Sequence, residues 1–131
     1  MNYLGLDFGL SHLGVAIADG PLAEPMATLP ISSAFKLLPQ IIARHHITAL
    51  IIGLPDGPSQ PQARRFIHQL QTLNCPVHIV DETLSSYDAL TLLRHTSPSR
   101  RKSKEHAAAA AIILQSWLDL KIKGSVKSTD V

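Results

Sequence analysis

Two short apolar stretches of strand length open the chain, NYLGLDF (2–8) and HLGVAIA (12–18), separated only by Gly9-Leu10-Ser11. Such a short break between two strand-like runs predicts a tight β-hairpin. A third strand is expected near residues 26–31, after the breakers Pro21 and Pro25. Over residues 33–46 the apolar positions Phe35, Leu37, Leu38, Ile41 and Ile42 recur at helical spacing, and Ser32 or Ser33 offers an N-cap. Pro39 falls inside that helix and predicts a kink or a shifted first turn.

The pattern changes at ITALIIGLP (47–55), a continuous apolar run closed by Gly and Pro, as expected of a strand buried on both faces. Helical spacing returns over residues 59–73 through Ala63, Phe66, Ile67, Leu70 and Leu73; VHIVDE (77–82) reads as a fifth strand. SSYDALTLLRH (85–95) predicts a short helix capped by Ser85, residues 96–104 a mobile Pro/Ser/Lys/Arg-rich loop, and residues 105–120 a helix containing Ala107–Ala111. The resulting order, β-β-β-α-β-α-β-α-α, implies a mixed sheet of five strands flanked by helices. In such sheets ligands bind at the carboxyl ends of the parallel strands. Residues 1–123 are expected to form a single domain, and 124–131 a polar, frayed C-terminal tail.

Composition narrows the class. A chain of 131 residues with 45% apolar and 17% charged residues suits one globular domain. The single cysteine, Cys75, excludes an intrachain disulfide and fits a reducing compartment. No apolar stretch is long enough to span a bilayer, and MNYLGLDFGL lacks the basic lead of a secretory signal, so the cytoplasm is the expected location. The net charge of +2 is too small to argue a nucleic-acid partner, but Arg94, His95, Arg100, Arg101, Lys102 and Lys104 fall close together with no acid among them. That cluster suits phosphates; a solvated loop explains it equally well.

The acids carry the chemistry. Asp7 is embedded in an apolar strand, where a carboxylate is costly unless it is paired, hydrogen-bonded or metal-bound. Alternation puts Gly5 and Asp7 on one face, and Gly5 and Gly9 leave room beside the carboxylate. An Asp that bonds the turn at Gly9-Leu10-Ser11 is the competing explanation. A second acidic site is Asp81-Glu82 at the end of VHIV, whose side chains must point to opposite faces. If both strands are central, Asp7 and Glu82 converge at one edge. Paired carboxylates there suit hard divalent cations, which activate water and stabilise the leaving oxygen in phosphodiester cleavage. Asp19, Asp56, Asp88 and Asp119 read as turn or solvated residues, His45-His46 as the polar end of a helix, and Phe35, Phe66 and Trp117 as core.

LGLDFGLSHLGVAIAD, followed in order by IIGLP (51–55), VDETLSSYDA (80–89) and AAAAAIILQSWLD (107–119), resembles the YqgF group of ribonuclease-H-like nucleases, also described as Holliday junction resolvases. The resemblance covers nearly the whole chain. It implies an α/β, ribonuclease-H-like fold and a metal-dependent phosphodiesterase that trims the 5′ end of precursor 16S ribosomal RNA. It also implies catalytic and metal-binding acids at Asp7 and Glu82. The third acid of that pattern does not carry over, because His106 stands just before the Ala-rich helix, next to Glu105. His12 and Thr83 stand where the group usually has Arg, and the loop after Gly53-Leu54-Pro55 is shorter.

With Ser103 as N-cap, His106 would lie in a first helical turn, able to act as third metal ligand or proton carrier. Imidazole favours Mn²⁺ over Mg²⁺ as the divalent metal. Arg94, Arg100, Arg101, Lys102 and Lys104 would meet the nucleic-acid backbone. The leading expectation is a nuclease on structured RNA, the precursor ribosomal RNA. A Holliday junction resolvase acting on branched DNA as a homodimer and a catalytically weakened nucleic-acid-binding module are the alternatives; the chain would be a monomer or homodimer with no membrane partner.

Overall fold

The computed structural model describes residues 1–55, 57–81 and 98–122; of residues 81, 98–105 and 122 it describes the backbone alone. Strands β1 (Asn2–Phe8), β2 (His12–Asp19) and β3 (Ala23–Pro30) form a meander. Helix α1 (Ala34–His45), strand β4 (Ile47–Leu54), helix α2 (Gln60–Leu70), strand β5 (Val77–Asp81) and helix α3 (Pro98–Ile122) follow. The five strands form one mixed sheet in the order β3-β2-β1-β4-β5, with β1 at its centre. β1 runs antiparallel to β2 and parallel to β4, and β4 is parallel to β5.

The hairpin forms as its sequence dictates: Gly9 N–H donates to His12 O at 2.9 Å, and Phe8 pairs with Leu13 across the turn. β3 starts earlier than the prolines suggested and runs through Pro25, which pairs with Ala16 at a register shift. Among the described strands β3 is an edge, where the missing N–H of Pro25 costs no ladder bond. Pro39 lies inside α1 on its exposed face, where the carbonyl it leaves unpaired can meet water. Ser33 makes no side-chain cap: it closes the 3₁₀ turn Ile31–Ser33 with ψ −1°, where a capping residue is extended. His46 ends α1 in the left-handed region, φ 53°, its N–H donating to Ile42 O.

The expected loop 96–104 is replaced, from Pro98 on, by the first turns of α3, which therefore begins well before residue 105. Proline is at home at a helix start, and the Arg and Lys residues behind it are good helix formers. Ser103 is consequently interior to α3 rather than its cap, and His106 lies in its third turn. The helix expected at 85–95, together with Glu82, Arg94, Asp56, Asp88 and the tail from 124, lies outside the described residues.

The two faces of the sheet are built differently. Toward α1 and α2, strand alternation sends Leu4, Leu6, Leu13, Val15, Leu50 and Ile52, which pack on Leu38, Phe66, Ile67 and Leu70. Each such side chain removed from water contributes about 1.5–3 kcal/mol. Toward α3 many of the residues are small: Gly5, Gly14, Ala16, Ala18 and Ala49, beside the larger Tyr3 and Ile51, lie beneath Ala110, Ile113, Leu114 and Trp117. A Cβ on Gly5 would sit 2.7 Å from Ala110 O and from Leu114 Cβ. Gln115 pins α3 along its axis, accepting from Ala23 N–H at 2.8 Å and donating to Pro21 O at 2.9 Å. Farther along, Trp117 packs edge-on to Tyr3 at 5.0 Å between ring centroids, and Lys121 donates to the Tyr3 hydroxyl at 2.9 Å.

Cys75 is buried beside the start of β4, 4.0 Å from Ile47 O, and burial pushes its thiol pKa up. The reactive thiolate is therefore scarce near neutral pH. Thiol-reagent labelling of the folded protein at pH 7.5 is expected to be slow and to accelerate with rising pH, and the same reagent in strong denaturant is expected to react at once. Fast native labelling at neutral pH would contradict this burial.

Candidate active site

Asp7 sits one residue before the end of the central strand, at the edge of the sheet where β1 and β4 present their carboxyl ends. It is the one buried charged residue among those described, 4% exposed. Its neighbours across the strands are Gly14 on β2 and Gly53 on β4, so no adjacent side chain fills the space around the carboxylate. Gly53 in turn pairs with Val80 on β5, which places the end of β5 at the same edge, two strand spacings (about 10 Å) from β1. Val80 packs in the α3-side cluster, the face of Asp7.

The remaining partner comes from α3. His106 Nδ1 lies 3.0 Å from Asp7 Oδ2. An ionised carboxylate only accepts, so the ring donates from Nδ1. That approach depends on Gly14, because a Cβ there would run into the His106 carbonyl. Gly9 matters in the same way, with His106 Cε1 2.8 Å from the point its Cβ would occupy. The two glycines form the floor on which His106 rests.

The second oxygen of Asp7, Oδ1, is buried and has no hydrogen-bond partner among the described residues. A buried carboxylate oxygen without a partner costs a few kcal/mol of lost hydration. An oxygen in that state beside an imidazole fits a divalent cation, whose charge would compensate it. Among the described residues no three His, Cys, Asp or Glu side chains converge as a ligand set. Asp7 and His106 form the described part of the site, and Glu82 lies beyond the described end of β5.

The alternative role for Asp7, bonding the Gly9-Leu10-Ser11 turn, is not what the structure contains: the turn closes through its own backbone, and Asp7 bonds His106. Asp19 is exposed and pairs with Asn2, at the opposite edge from Asp7. Asp119 is exposed on α3 and accepts from Gln115 at 3.1 Å. Arg100, Arg101, Lys102 and Lys104 lie on the leading turns of α3, ahead of His106. One neighbour was not singled out for the site by sequence reasoning. The His12 ring faces that of His106, 6.2 Å between centroids and 27° between planes, from an exposed position at the start of β2. Its place directly after the hairpin turn was the available signal, since that turn carries it back beside Asp7.

A family profile described as RuvX, Holliday junction resolvase, matches residues 1–120. The chain belongs to the RuvX family. A relative from Chloroflexus aggregans named "Putative pre-16S rRNA nuclease" is 36% identical over 130 residues, covering 88% of this chain and 92% of its own. A relative of the same name from Thermosynechococcus vestitus is 38% identical over 133 residues, covering 91% and 88%. These findings bear out the YqgF resemblance. Among solved structures, Thermus thermophilus RuvC in complex with a Holliday junction substrate superposes with a TM-score of 0.65 at 14% identity, covering 95% of this chain and 97% of that one. The fowlpox virus Holliday junction resolvase gives 0.59 at 12% identity, covering 91% and 99%. At such identities the likeness is one of fold, and the fold is the ribonuclease-H-like α/β architecture expected of this RuvX-family chain.

Gly14→Ala is expected to cost about 3 kcal/mol or more, because the clash is with helix backbone and not with a flexible side-chain end. Urea unfolding measures this; a loss below about 1 kcal/mol would mean that α3 does not rest on Gly14.

Proposed function

We propose that this RuvX-family chain is a metal-dependent nuclease that processes the 5′ end of precursor 16S ribosomal RNA. The observation that carries the reading is Asp7: a buried carboxylate at the carboxyl edge of the sheet, with one oxygen held by His106 and the other without a partner among the described residues. Asp7, through Oδ1, and Glu82 would hold the cation, which would activate a water for attack on phosphorus and offset charge on the leaving oxygen. The names borne by the relatives favour ribosomal RNA as substrate.

The Nδ1 hydrogen bond to Asp7 holds the His106 imidazole beside the carboxylate. In that pose His106 would act as proton carrier for the attacking water; acting as third ligand would require the ring to leave Asp7. Arg100, Arg101, Lys102 and Lys104, with Arg94 before them, offer a positive approach for the phosphate backbone. A cytoplasmic location follows from this substrate; no helix among the described residues is long and apolar enough to cross a membrane.

The family description and the RuvC-like fold favour a second reading, cleavage of branched DNA. Cutting a junction symmetrically requires two sites and so a homodimer. A weakened, binding-only module is the third reading, motivated by His106 in place of a carboxylate.

Wild type is expected to cleave a precursor 16S 5′-leader RNA with Mn²⁺, more slowly with Mg²⁺, and in preference to a synthetic four-way junction. Asp7→Asn should lose cleavage at least a hundredfold while keeping its melting temperature; retained activity would refute the assignment. His106→Asp should shift preference toward Mg²⁺. If calorimetric Mn²⁺ affinity is unchanged in His106→Gln while the rate falls, His106 carries the proton; a lost affinity makes it a ligand. RNA binding without cleavage in either metal, in wild type and in His106→Asp alike, would leave the binding-only reading standing.

A further inference from the structure

The candidate active site lies on the α3 face of the sheet. At the same edge, on the opposite face, the chain builds a second concavity. Phe8 follows Asp7 directly, and alternation turns it toward α1 and α2. There its ring meets Phe66 at 5.2 Å between centroids, and Phe66 meets Phe35 at 4.9 Å, tilted by 48° and 46°. Around these three rings, with Gln62, Arg65 and Gln69 on α2, lies a cavity of about 340 Å³. The concavity is open to solvent, and Phe8 and Phe35 are only partly buried in it, so their rings lie where a guest can reach them, with the buried Phe66 packed behind.

The lining suits a flat, heteroaromatic guest. Aromatic faces stack on any base without regard to sequence. The exposed amides of Gln62 and Gln69 can donate to and accept from a base edge. Arg65, also exposed at the mouth, can meet the flanking phosphate. The charge agrees: α2, QPQARRFIHQL, carries Arg64, Arg65 and His68 and no acid. The hairpin tip just beyond Phe8 exposes Leu10, 60% open, as further apolar surface.

We propose that the Phe8–Phe35–Phe66 cavity receives one unstacked base of the substrate, so that a single-stranded nucleotide is anchored on one face of the sheet while the backbone crosses the edge to Asp7 on the other. The proposal rests on the nuclease reading and adds to it a requirement for an unpaired base beside the cleavage point.

The test is fluorescence anisotropy on the full chain in EDTA, which prevents cleavage, with a labelled single-stranded RNA oligomer, its blunt duplex and a DNA strand of the same sequence. Phe35→Leu removes a stacking face and should weaken single-strand binding about tenfold, leave duplex binding unchanged, and be matched by full affinity in Phe35→Tyr. Gln69→Trp fills the cavity mouth from an exposed position, so it tests the same point without disturbing the core; it should show the same selective loss. Wild-type affinity in both Phe35→Leu and Gln69→Trp overturns the base pocket and leaves the nuclease reading intact, as does an equal loss for single strand and duplex. Failure of the wild type to bind any of the three probes overturns the base pocket, while the nuclease reading stands or falls on cleavage of the leader RNA with Mn²⁺.

Discussion

Helix α3 approaches the sheet closely enough for its backbone to lie on bare glycine, and the site depends on that contact. A Cβ at Gly14 would run into the His106 carbonyl, and one at Gly5 would crowd Ala110 and Leu114. Ala16, Ala18 and Ala49 are likewise short on that face, with Tyr3 and Ile51 as its larger members. A helix resting on larger side chains would stand farther off, and a 3.0 Å hydrogen bond from His106 to a carboxylate in the central strand would be out of reach. Gln115 sets the position of the helix along its axis, nine residues or about 13 Å from His106, and so decides which residue of α3 stands over Asp7.

Both faces bury apolar side chains. Leu4, Leu6, Leu13, Leu50 and Ile52 are wholly buried on the side of α1 and α2, and Ile51 packs with Ile113, Leu114 and Trp117 on the side of α3. Within that α3 face the sheet also carries a buried charge, one oxygen of which has no partner among the described residues. Such a group weakens the fold and is retained where function needs it. The edge shared by both faces is where β1 ends, so consecutive residues, Asp7 and Phe8, serve two different surfaces.

His106 gives the Asp7 pocket its character. An imidazole that donates to Asp7 holds the buried carboxylate in place, where a second carboxylate would repel it. His12, stacked at 6.2 Å from His106 at the hairpin's exposed end, adds a second imidazole to an edge that otherwise offers glycine and backbone.

Much of this was legible in the chain itself. The unbroken apolar run of β4 announces burial on both faces, the short break at Gly9-Leu10-Ser11 forces a hairpin, and an aspartate within an apolar strand marks Asp7. These are local signals, set by alternation and by the cost of burying charge, and a sequence displays them directly. The start of α3 was hidden because Pro98 reads as a breaker, although proline is equally suited to open a helix. The extent of β3 was hidden because Pro25 is tolerated only at an edge, and edges are decided by which strands pair. The role of Gly14 and the Phe8–Phe35–Phe66 cavity had no local signature, and that of His12 only its place after the hairpin turn. They arise where residues distant in sequence meet across β1, β2, α1, α2 and α3, and only the packed chain decides which side chains share that space.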